Sequence, residues 1–494
     1  MGTTEARTQI PQGRETTYVY EPLSSEDRMF LLCERRDVHM HVAATLIFDT
    51  ATARGGRDGG IDVERIVRYV ESRLELVPRY RQRLRTTPLT GNPVWIDDDR
   101  FDVAFHVRHV TLPPPGDDAI LKKLASHIIS TPLDRSRPLW KLWVVTGLQG
   151  NRFAMVIKMH HCMVDGIAGA DLLAALLTPA PTQAVDAPRP FAPRRAPARW
   201  ELLRDAVWDR LQLPATLGRA TRRLMTGDGA AQWLAYGRGL WEMVAAAGWP
   251  APESPLNRPI GRHRRFDWTV LDLGEVRAVR ARLGGTVNDV ALAIVAGALR
   301  RFLLERHPDI ELRDLRVMVP VNVRSGGERH LLGNHVSGWL MTLPVREADA
   351  GRRYAAVRAA TEALKASRQH LGGQLVTSAG STLLSLGLRV VERLRPYNLL
   401  VTNVPGPRDA LYLLGARLRF VYPEAPLFPS QGLGVALFSY ADTLCLGIHA
   451  DCHVLPDTER LVEAVHAAFD ELAALAGEGH GTVAMPHWAR DAVA

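Results

Sequence analysis

The stretch RFAMVIKMHHCMVDG, residues 152–166, decides the fold of this chain, because an apolar strand pattern runs directly into a short polar motif. The pattern predicts a buried strand over Arg152–Met159 and a helix from Ile167 to Leu177. A strand followed by a helix is one unit of an α/β layer. We therefore expect His160 and His161 at a strand end that faces a crevice.

The residue types in this motif suit general-base catalysis. An imidazole with a pKa of about 6.5 can take a proton from an alcohol at neutral pH, and we assign that role to His161. Asp165 either orients the loop through a salt bridge or caps the following helix, and both roles stay open. Gly166 lets the backbone pass closely. We expect no metal, because no third ligand lies near His161 and Asp165 in the sequence.

Size and composition indicate two domains. The chain has 494 residues and is 46 % hydrophobic, whereas single hydrophobic cores stop growing at about 250–300 residues. With 61 Lys and Arg against 53 Asp and Glu, the net charge is +8. This mild excess favours anionic partners such as phosphate-bearing ligands or lipid headgroups. We expect no nucleic-acid partner.

The sequence has no pattern typical of a membrane span or a secretion signal. No run approaches the roughly 18–20 uninterrupted apolar residues that cross a bilayer, and residues 1–14 are polar. The four cysteines lack metal-ligand spacing, so reduced thiols are expected. We therefore expect a cytoplasmic protein that is soluble or peripheral at membranes or lipid inclusions.

Composition divides the chain into three parts. Residues 20–180 alternate strand and helix patterns, residues 181–262 form a linker, and residues 263–480 resume the α/β pattern. Prolines cluster at the start of the linker, and its later part has the pattern of amphipathic surface helices. The last part is predicted to contain a helix from Val287 to about Glu305, strands near Leu315–Val323 and Val336–Leu343, a hairpin of Gly432–Tyr440 and Thr443–Asp451, and a final helix from about Asp457 to Ala476.

Several motifs carry a family resemblance. The pattern His-His-x-x-x-Asp-Gly, here His160 to Gly166, resembles the active-site motif of the CoA-dependent acyltransferase superfamily, which includes chloramphenicol acetyltransferase and peptide-synthetase condensation domains. Within it, the chain resembles the wax ester synthase/diacylglycerol acyltransferase family over residues 20–478. The segments that carry this resemblance are LSSED with Phe30-Leu31, HMHV at 39–42, PLW at 138–140, TVND at 286–289, NVPGP at 403–407, Tyr422-Pro423, QGL at 431–433 and Ser439-Tyr440.

The resemblance implies both a fold and an activity. It implies an α/β fold of two chloramphenicol-acetyltransferase-like domains, whose mixed sheets are flanked by helices and enclose an active-site channel between them. The implied enzyme is a diacylglycerol or long-chain-alcohol O-acyltransferase that makes triacylglycerol or wax esters. Its donor would be acyl-CoA as a co-substrate, with no bound cofactor. The implied catalytic residues are His161, His160 and Asp165, and Gly166 is implied to line the substrate site.

Three further residues are assigned to the substrate-binding region. Pro138, Leu139 and Trp140 combine a turn-fixing proline with a large ring, which favours a packing role in a pocket wall. Residues 286–289 predict a capping box at the start of a helix.

Asn288 lies in the first turn of that helix, where an amide could face developing negative charge. The resemblance counts it with the active-site region, so it is a binding or oxyanion candidate. Arg324 is a candidate structural partner of Asp165, because a bidentate guanidinium would fix the carboxylate and hence the loop.

Two alternatives remain open for the function. An acyltransferase of the same fold could use another acceptor, such as a polyketide. A catalytically inactive lipid-binding scaffold is the second alternative, although the intact residues His160, His161, Asp165 and Gly166 argue against it.

The linker is the candidate contact with lipid surfaces. Residues 200–249 carry Arg together with Trp, Leu and Met at helical spacing, including Arg219, Arg222 and Arg223. This pattern is typical of helices that lie at a membrane interface. The alternative is that these residues pack over the two domains.

Overall fold

Two six-stranded sheets and one three-stranded sheet form the framework in the part of the chain described by the computed structural model, which covers residues 18–50, 61–163, 173–208, 250–322, 336–366 and 395–477. The strands are β1 Glu21–Pro22, β2 His41–Asp49, β3 Gln82–Thr86, β4 Pro93–Asp97, β5 Val107–Thr111, β6 Trp140–Leu148, β7 Arg152–His160, β8 Arg264–Asp272, β9 Leu315–Asn322, β10 Val336–Leu343, β11 Leu399–Pro405, β12 Tyr412–Leu413, β13 Ala416–Glu424, β14 Leu433–Tyr440 and β15 Thr443–Asp451. The α-helices are α1 Ser25–Cys33, α2 Val63–Arg73, α3 Val103–His106, α4 Asp118–Ser130, α5 Leu273–Leu283, α6 Val287–Arg306, α7 Ala350–Ala366 and α8 Thr458–Leu475.

The first sheet has the order β12-β13-β2-β7-β6-β5. Its strand β7 is buried along almost its whole length, because both of its faces are covered. Phe153, Met155 and Ile157 point into one apolar cluster, and the alternate residues Ala154 and Val156 point into another. The continuous apolar run in the sequence is therefore a central strand. His160 is its last residue.

The second sheet has the order β10-β9-β11-β14-β15-β8. Both large sheets are mixed, since β11 runs parallel to β9 and β14 while β5 runs parallel to β6. Helix α6 is apolar along most of its length and packs against α7 and α8, where it forms the centre of the second core. The expected α/β fold with two sheet-rich domains is confirmed.

One pair of strands departs from the three-part division of the sequence. Strands β12 and β13 lie within the predicted last domain, 263–480, yet they belong to the first sheet. Strand β13 pairs with β2, with Glu424 opposite Ala43. The first half of the chain leaves the edge of β2 unpaired, and an unpaired edge accepts another strand. The other boundaries, at 180 and 262, stay predictions.

Apart from the sheet to which β12 and β13 belong, the predicted elements agree closely with the structure. The bounds of β7, α6, β9, β10, β14, β15 and α8 lie within a few residues of the predicted ones. Residues 164–172 of the helix predicted from Ile167 lie outside the described residues, and residues 173–176 are helical. Within the described linker, residues 181–198 contain neither helix nor strand, whereas residues 199–208 are helical. No helix in the described ranges is long and apolar enough to cross a membrane.

The two large sheets approach each other closely where β15 of the second sheet meets β13 of the first. A methyl group added at Gly447 of β15 would lie 1.8 Å from the carbonyl oxygen of Pro423 in β13. This distance is far below van der Waals contact, so only a glycine allows the two strands to pack in this way. The seam between the two sheets therefore depends on the absence of a side chain at Gly447.

We expect Gly447→Ala to destabilise the protein by roughly 1–3 kcal/mol or more, because overpacking against backbone forces the strands apart. The matched control is Gly434→Ala in the same hairpin, where the nearest atom to the added methyl group is the flexible end of the Leu427 side chain at 3.3 Å and the nearest backbone atom is the Ala425 carbonyl oxygen at 3.9 Å. Chemical denaturation of both variants and the wild type measures the difference. Equal stability of the two variants would show that the seam is not tightly packed.

Candidate active site

His161 lies in the short 3₁₀ turn His161–Met163, immediately after β7. Its backbone N–H donates a hydrogen bond to the Met40 carbonyl at 2.8 Å, which continues the pairing between β2 and β7. Its ring stacks on the ring of Phe30 in α1, with centroids 3.7 Å apart and planes 14° apart. Backbone and ring of His161 are thus held by two different elements.

The surroundings keep the His161 imidazole neutral. Its pKa is lowered from 6.5 to about 4, mainly because the ring is buried and to a smaller extent because of the neighbouring His160, while a hydrogen bond with its own backbone opposes the shift. Its Nδ1 is buried and has no other hydrogen-bond partner among the described residues. A neutral, half-buried imidazole is the form that can accept a proton from a substrate.

His160 is oriented quite differently from its neighbour. It is fully buried, and its Nδ1 accepts a hydrogen bond from the backbone N–H of Cys162 at 3.1 Å. Its Nε2 lies 3.6 Å from Oε2 of Glu34. His160 is therefore built into the turn and the adjacent core. The two histidines of the motif have separate surroundings.

The residues Pro138, Leu139 and Trp140 lie beside the end of β7. The Leu139 carbonyl accepts the N–H of His160 at 2.9 Å, and Trp140 pairs with Met159 in the neighbouring strand. The Trp140 ring is buried, and its Nε1 donates to the Tyr80 carbonyl at 2.8 Å. These contacts are packing contacts that support the strand under the histidines.

The start of α6 has the predicted capping box. The Thr286 N–H donates to Oδ2 of Asp289 at 2.7 Å, and the Asp289 N–H donates to the Thr286 hydroxyl at 3.2 Å. Asp289 is buried and also accepts a hydrogen bond from the hydroxyl of Thr361 at 2.7 Å. Asp289 is a structural residue of the helix start.

Two motifs that are far apart in the sequence meet at this helix start. Asn288 is half-buried, and its Oδ1 accepts a hydrogen bond from Nδ2 of Asn403 at 3.2 Å. Asn403 lies in β11, just before the turn at Gly406, whose N–H donates to the Ser439 carbonyl at 2.9 Å. The amide of Asn288 is therefore fixed by the second sheet, with its Nδ2 left for another acceptor.

Asp165, Gly166 and Arg324 lie outside the described residues. The proposed pairing of Asp165 with Arg324 therefore stays a prediction. In the described ranges, no group of three or more His, Cys, Asp or Glu side chains could hold a metal ion.

Two polar side chains near this site, Glu34 and Lys158, were not predicted from the sequence. Glu34 faces His160, and it follows Phe30 by four residues, so both lie on one face of α1 and at its end. The four-residue spacing could have predicted from the sequence that Glu34 lies on the same side of α1 as Phe30. Lys158 is buried, donates to the carbonyls of Ile128 and Thr131 at 2.6 and 2.5 Å, and has its pKa lowered to about 7 by burial.

Comparison with known proteins identifies the family. The sequence model of the wax ester synthase/diacylglycerol acyltransferase catalytic domain matches residues 23–291, and that of the C-terminal domain of the same family matches residues 332–473. The chain belongs to this family. A Mycobacterium tuberculosis protein named "Putative diacyglycerol O-acyltransferase" is 34 % identical over 475 residues, which are 92 % of this chain and 90 % of that protein. Another protein of that organism, named "Probable diacyglycerol O-acyltransferase", is 32 % identical and covers 92 % of this chain and 96 % of its own length.

Solved structures show the same fold. The wax ester synthase/diacylglycerol acyltransferase of Marinobacter aquaeolei VT8 is similar with a TM-score of 0.67 and 27 % identity, covering 92 % of this chain and all of that one. The starter condensation domain of rhizomide synthetase, solved with C8-CoA and Leu-SNAC, has a TM-score of 0.59 at 15 % identity and covers 93 % of this chain and 94 % of its own. The second likeness concerns the fold alone.

The thiol of Cys162 is in an environment that disfavours a nucleophilic role. Its side chain is buried in the first core, and burial raises the pKa of the thiol well above 9.0, with the charge of Asp27 adding to the shift. The thiolate is the nucleophilic form of cysteine, and it is strongly disfavoured here. We therefore expect no covalent chemistry at Cys162, although it lies beside His161 in the sequence.

The lowered pKa of His161 predicts an unusual pH profile. Protonation removes the base, and with a pKa of about 4 instead of 6.5 this loss moves to lower pH. We expect kcat/KM of the free enzyme to stay level from about pH 8 to pH 6 and to fall only at more acidic pH. Initial rates across this range measure it, with circular dichroism at each pH to confirm that the protein is folded. An acidic limb with its midpoint at 6.5 or above would contradict the neutral, buried site.

Proposed function

We propose that this acyltransferase transfers a long-chain fatty acyl group from acyl-CoA to diacylglycerol, to a long-chain alcohol, or to both, with His161 as general base. The observation that carries the proposal is the neutral imidazole of His161 at the end of a central strand. Its ring stacks on Phe30, and the backbone N–H of His161 is held by the Met40 carbonyl. The names of the relatives support diacylglycerol as acceptor. The name of the structural relative supports wax ester synthesis as well.

The chemistry needs one base and a group that stabilises an oxyanion. His161 removes the proton of the acceptor hydroxyl as its oxygen attacks the thioester carbonyl. The tetrahedral intermediate then collapses, the carbon–sulfur bond breaks, and the imidazolium returns the proton to the departing CoA sulfur. The products are an ester and free CoA.

Asn288 is our candidate for stabilising the oxyanion. Its Oδ1 is engaged by Asn403, so its Nδ2 protons point elsewhere and can donate. A donor of this kind contributes roughly 2.7–4 kcal/mol to transition-state stabilisation in other acyl-transfer enzymes.

We expect His161→Ala to abolish ester formation while the fold is retained, because only the base is removed. Cys162→Ala, the neighbouring substitution, should keep most of the activity, because the buried thiol takes no part in catalysis. Purified proteins are incubated with long-chain acyl-CoA and either diacylglycerol or a long-chain alcohol, and the esters are identified by mass spectrometry.

Three results of this assay would count against the proposal. No ester from either acceptor would favour the lipid-binding scaffold or another acceptor. Substantial activity in folded His161→Ala would exclude His161 as the base. An acyl adduct on Cys162, formed without acceptor and discharged by alcohol, would replace direct transfer with a covalent route.

We also propose that the enzyme acts as a cytoplasmic protein at the surface of membranes or lipid inclusions. The helical residues 199–208 at the start of the amphipathic linker segment expose four apolar side chains, which are 62, 41, 42 and 57 % accessible: Trp200, Leu203, Val207 and Trp208. The opposite face, with Leu202 and Ala206, is buried. A helix with exposed Trp and Leu beside Arg fits an interfacial position.

We expect the protein to float with anionic liposomes and the double substitution Trp200→Ser/Trp208→Ser to reduce the floating fraction several-fold, because both rings would enter the lipid interface. The control is Leu76→Ser, at a side chain that is 58 % exposed elsewhere on the surface. Unchanged flotation of the double variant would show that this face packs against protein.

A further inference from the structure

Glu34 is a largely buried carboxylate at the centre of a small polar cluster. It caps the C-terminal end of α1, where its N–H donates to the Phe30 carbonyl at 3.1 Å. Its side chain is 12 % exposed, and its oxygens lie 3.6 Å from Nε2 of His160 and 3.9 Å from Nε2 of His41. Arg135 forms an ion pair with the same carboxylate from the solvent side.

The carboxylate is ionised in spite of its burial. Burial alone would raise the pKa of Glu34, but its interactions with His160 and Arg135 outweigh this effect and hold the pKa below its usual value of 4.5. The cluster thus supplies a fixed negative charge beside the Nε2 atom of His160.

The hydrogen bond from Cys162 determines the tautomer of His160. A backbone N–H can only donate, so the Nδ1 atom that accepts from Cys162 carries no proton. A neutral His160 must then carry its proton on Nε2, which faces Glu34. Charge and hydrogen bonding agree, because a carboxylate favours a protonated nitrogen next to it.

These contacts form a continuous chain that ends in the turn of His161. Arg135 pairs with Glu34, an oxygen of Glu34 lies 3.6 Å from Nε2 of His160, and Nδ1 of His160 accepts the N–H of Cys162, the second residue of that turn. The same helix end also supplies Phe30, whose ring stacks on His161. Helix α1 therefore contacts both histidines of the motif through two side chains that are four residues apart.

We propose that Glu34 is a positioning residue for acyl transfer: its carboxylate keeps His160 in the tautomer with the proton on Nε2, and His160 thereby fixes the turn that carries His161. The expected effect of Glu34 on kcat rests on the proposed function. The link from Glu34 through His160 to the turn does not, because it can be measured without turnover. A metal ion bound by this cluster is not supported, since the described residues include no three-ligand group and Arg135 already provides a cation.

The first test is kinetic. Glu34→Gln keeps the size of the side chain and removes its charge, and a misplacement of a catalytic group by about 1 Å costs on the order of 100-fold in rate. We expect kcat to fall about 10- to 100-fold, with KM for acyl-CoA and for the acceptor changed less than about threefold. A side chain with a purely structural role would lower the melting temperature and leave kcat per folded molecule unchanged.

A matched control is available in another partly buried ion pair of the same half, between buried Asp97 and exposed Arg194. Asp97 is 7 % exposed, pairs with the guanidinium of Arg194 at 3.0 and 2.8 Å, and belongs to the three-stranded sheet. Asp97→Asn should lower thermal stability and leave kcat unchanged. The comparison distinguishes the loss of thermal stability that follows removal of a buried charge from the loss of kcat that follows misplacement of His161.

The second test does not require turnover. Nitrogen-15 NMR of histidine-labelled protein, with signals assigned from His160→Gln and His161→Gln, reports the protonation of each ring nitrogen. We expect unprotonated Nδ1 and protonated Nε2 in His160 of the wild type. In Glu34→Gln we expect a mixture of tautomers at His160 together with shifted His161 signals, and in Asp97→Asn no change.

The outcomes decide between the possibilities. A folded Glu34→Gln variant with kcat within twofold of the wild type, or a wild-type His160 protonated on Nδ1, would overturn the proposal. If the wild type forms no ester, the proposed function fails, and the NMR comparison still decides whether Glu34 controls the turn.

If Glu34→Gln does not fold, Arg135→Gln replaces it, because Arg135 is 52 % exposed. That variant should show a smaller fall in kcat and the same direction of change in the His160 signals, and no change in either would also overturn the proposal.

Discussion

The antiparallel pairing of β2 with β7 is the constraint on which the rest of the site depends. The register runs without a break from Asp49 opposite Arg152 to His41 opposite His160. The hydrogen bond from His161 to the Met40 carbonyl adds one more step beyond the strand. Successive side chains of a strand point to opposite faces, so a slip by one position would exchange the two faces of β7 and turn both histidines around. The apolar residues buried on both faces oppose such a slip.

The same strand β2 connects the site to its surroundings in two directions. Helix α1 ends shortly before it, which brings Phe30 and Glu34 over the end of β7. Its other edge accepts β13 from the second half of the chain. The second half is thus attached through the strand next to the one that carries the histidines, and the relative position of the two sheets is tied to the geometry of the site.

The seam between the two large sheets contains a buried polar contact. His449 of β15 lies 2.5 Å from Glu424 of β13, and both side chains are almost completely buried. Within the second sheet, Arg264 of β8 and Asp451 of β15 form an ion pair of 3.3 Å that is also almost completely buried. Burying such groups is unfavourable unless each meets its partner, and losing one partner leaves the other uncompensated. The contact of His449 with Glu424 forms only when the two sheets dock in one arrangement. It therefore disfavours other arrangements, in addition to the close approach of Gly447 to Pro423.

The sequence by itself determined the local features of this protein and its family. The apolar run of β7, the capping box of Thr286 and Asp289, and the β14–β15 hairpin follow from patterns within a few residues, because strand periodicity, capping and turns are short-range effects. The motif from His160 to Gly166 pointed to the family and to His161 as the base. The tertiary structure supplied the physical difference between the two histidines, by stacking Phe30 on His161 and placing Glu34 and the Cys162 N–H around His160. It alone also joined Asn288 to Asn403 across 115 residues and placed β13 in the first sheet. Such contacts depend on which surfaces meet after the chain has folded, and no local pattern of residues encodes that choice.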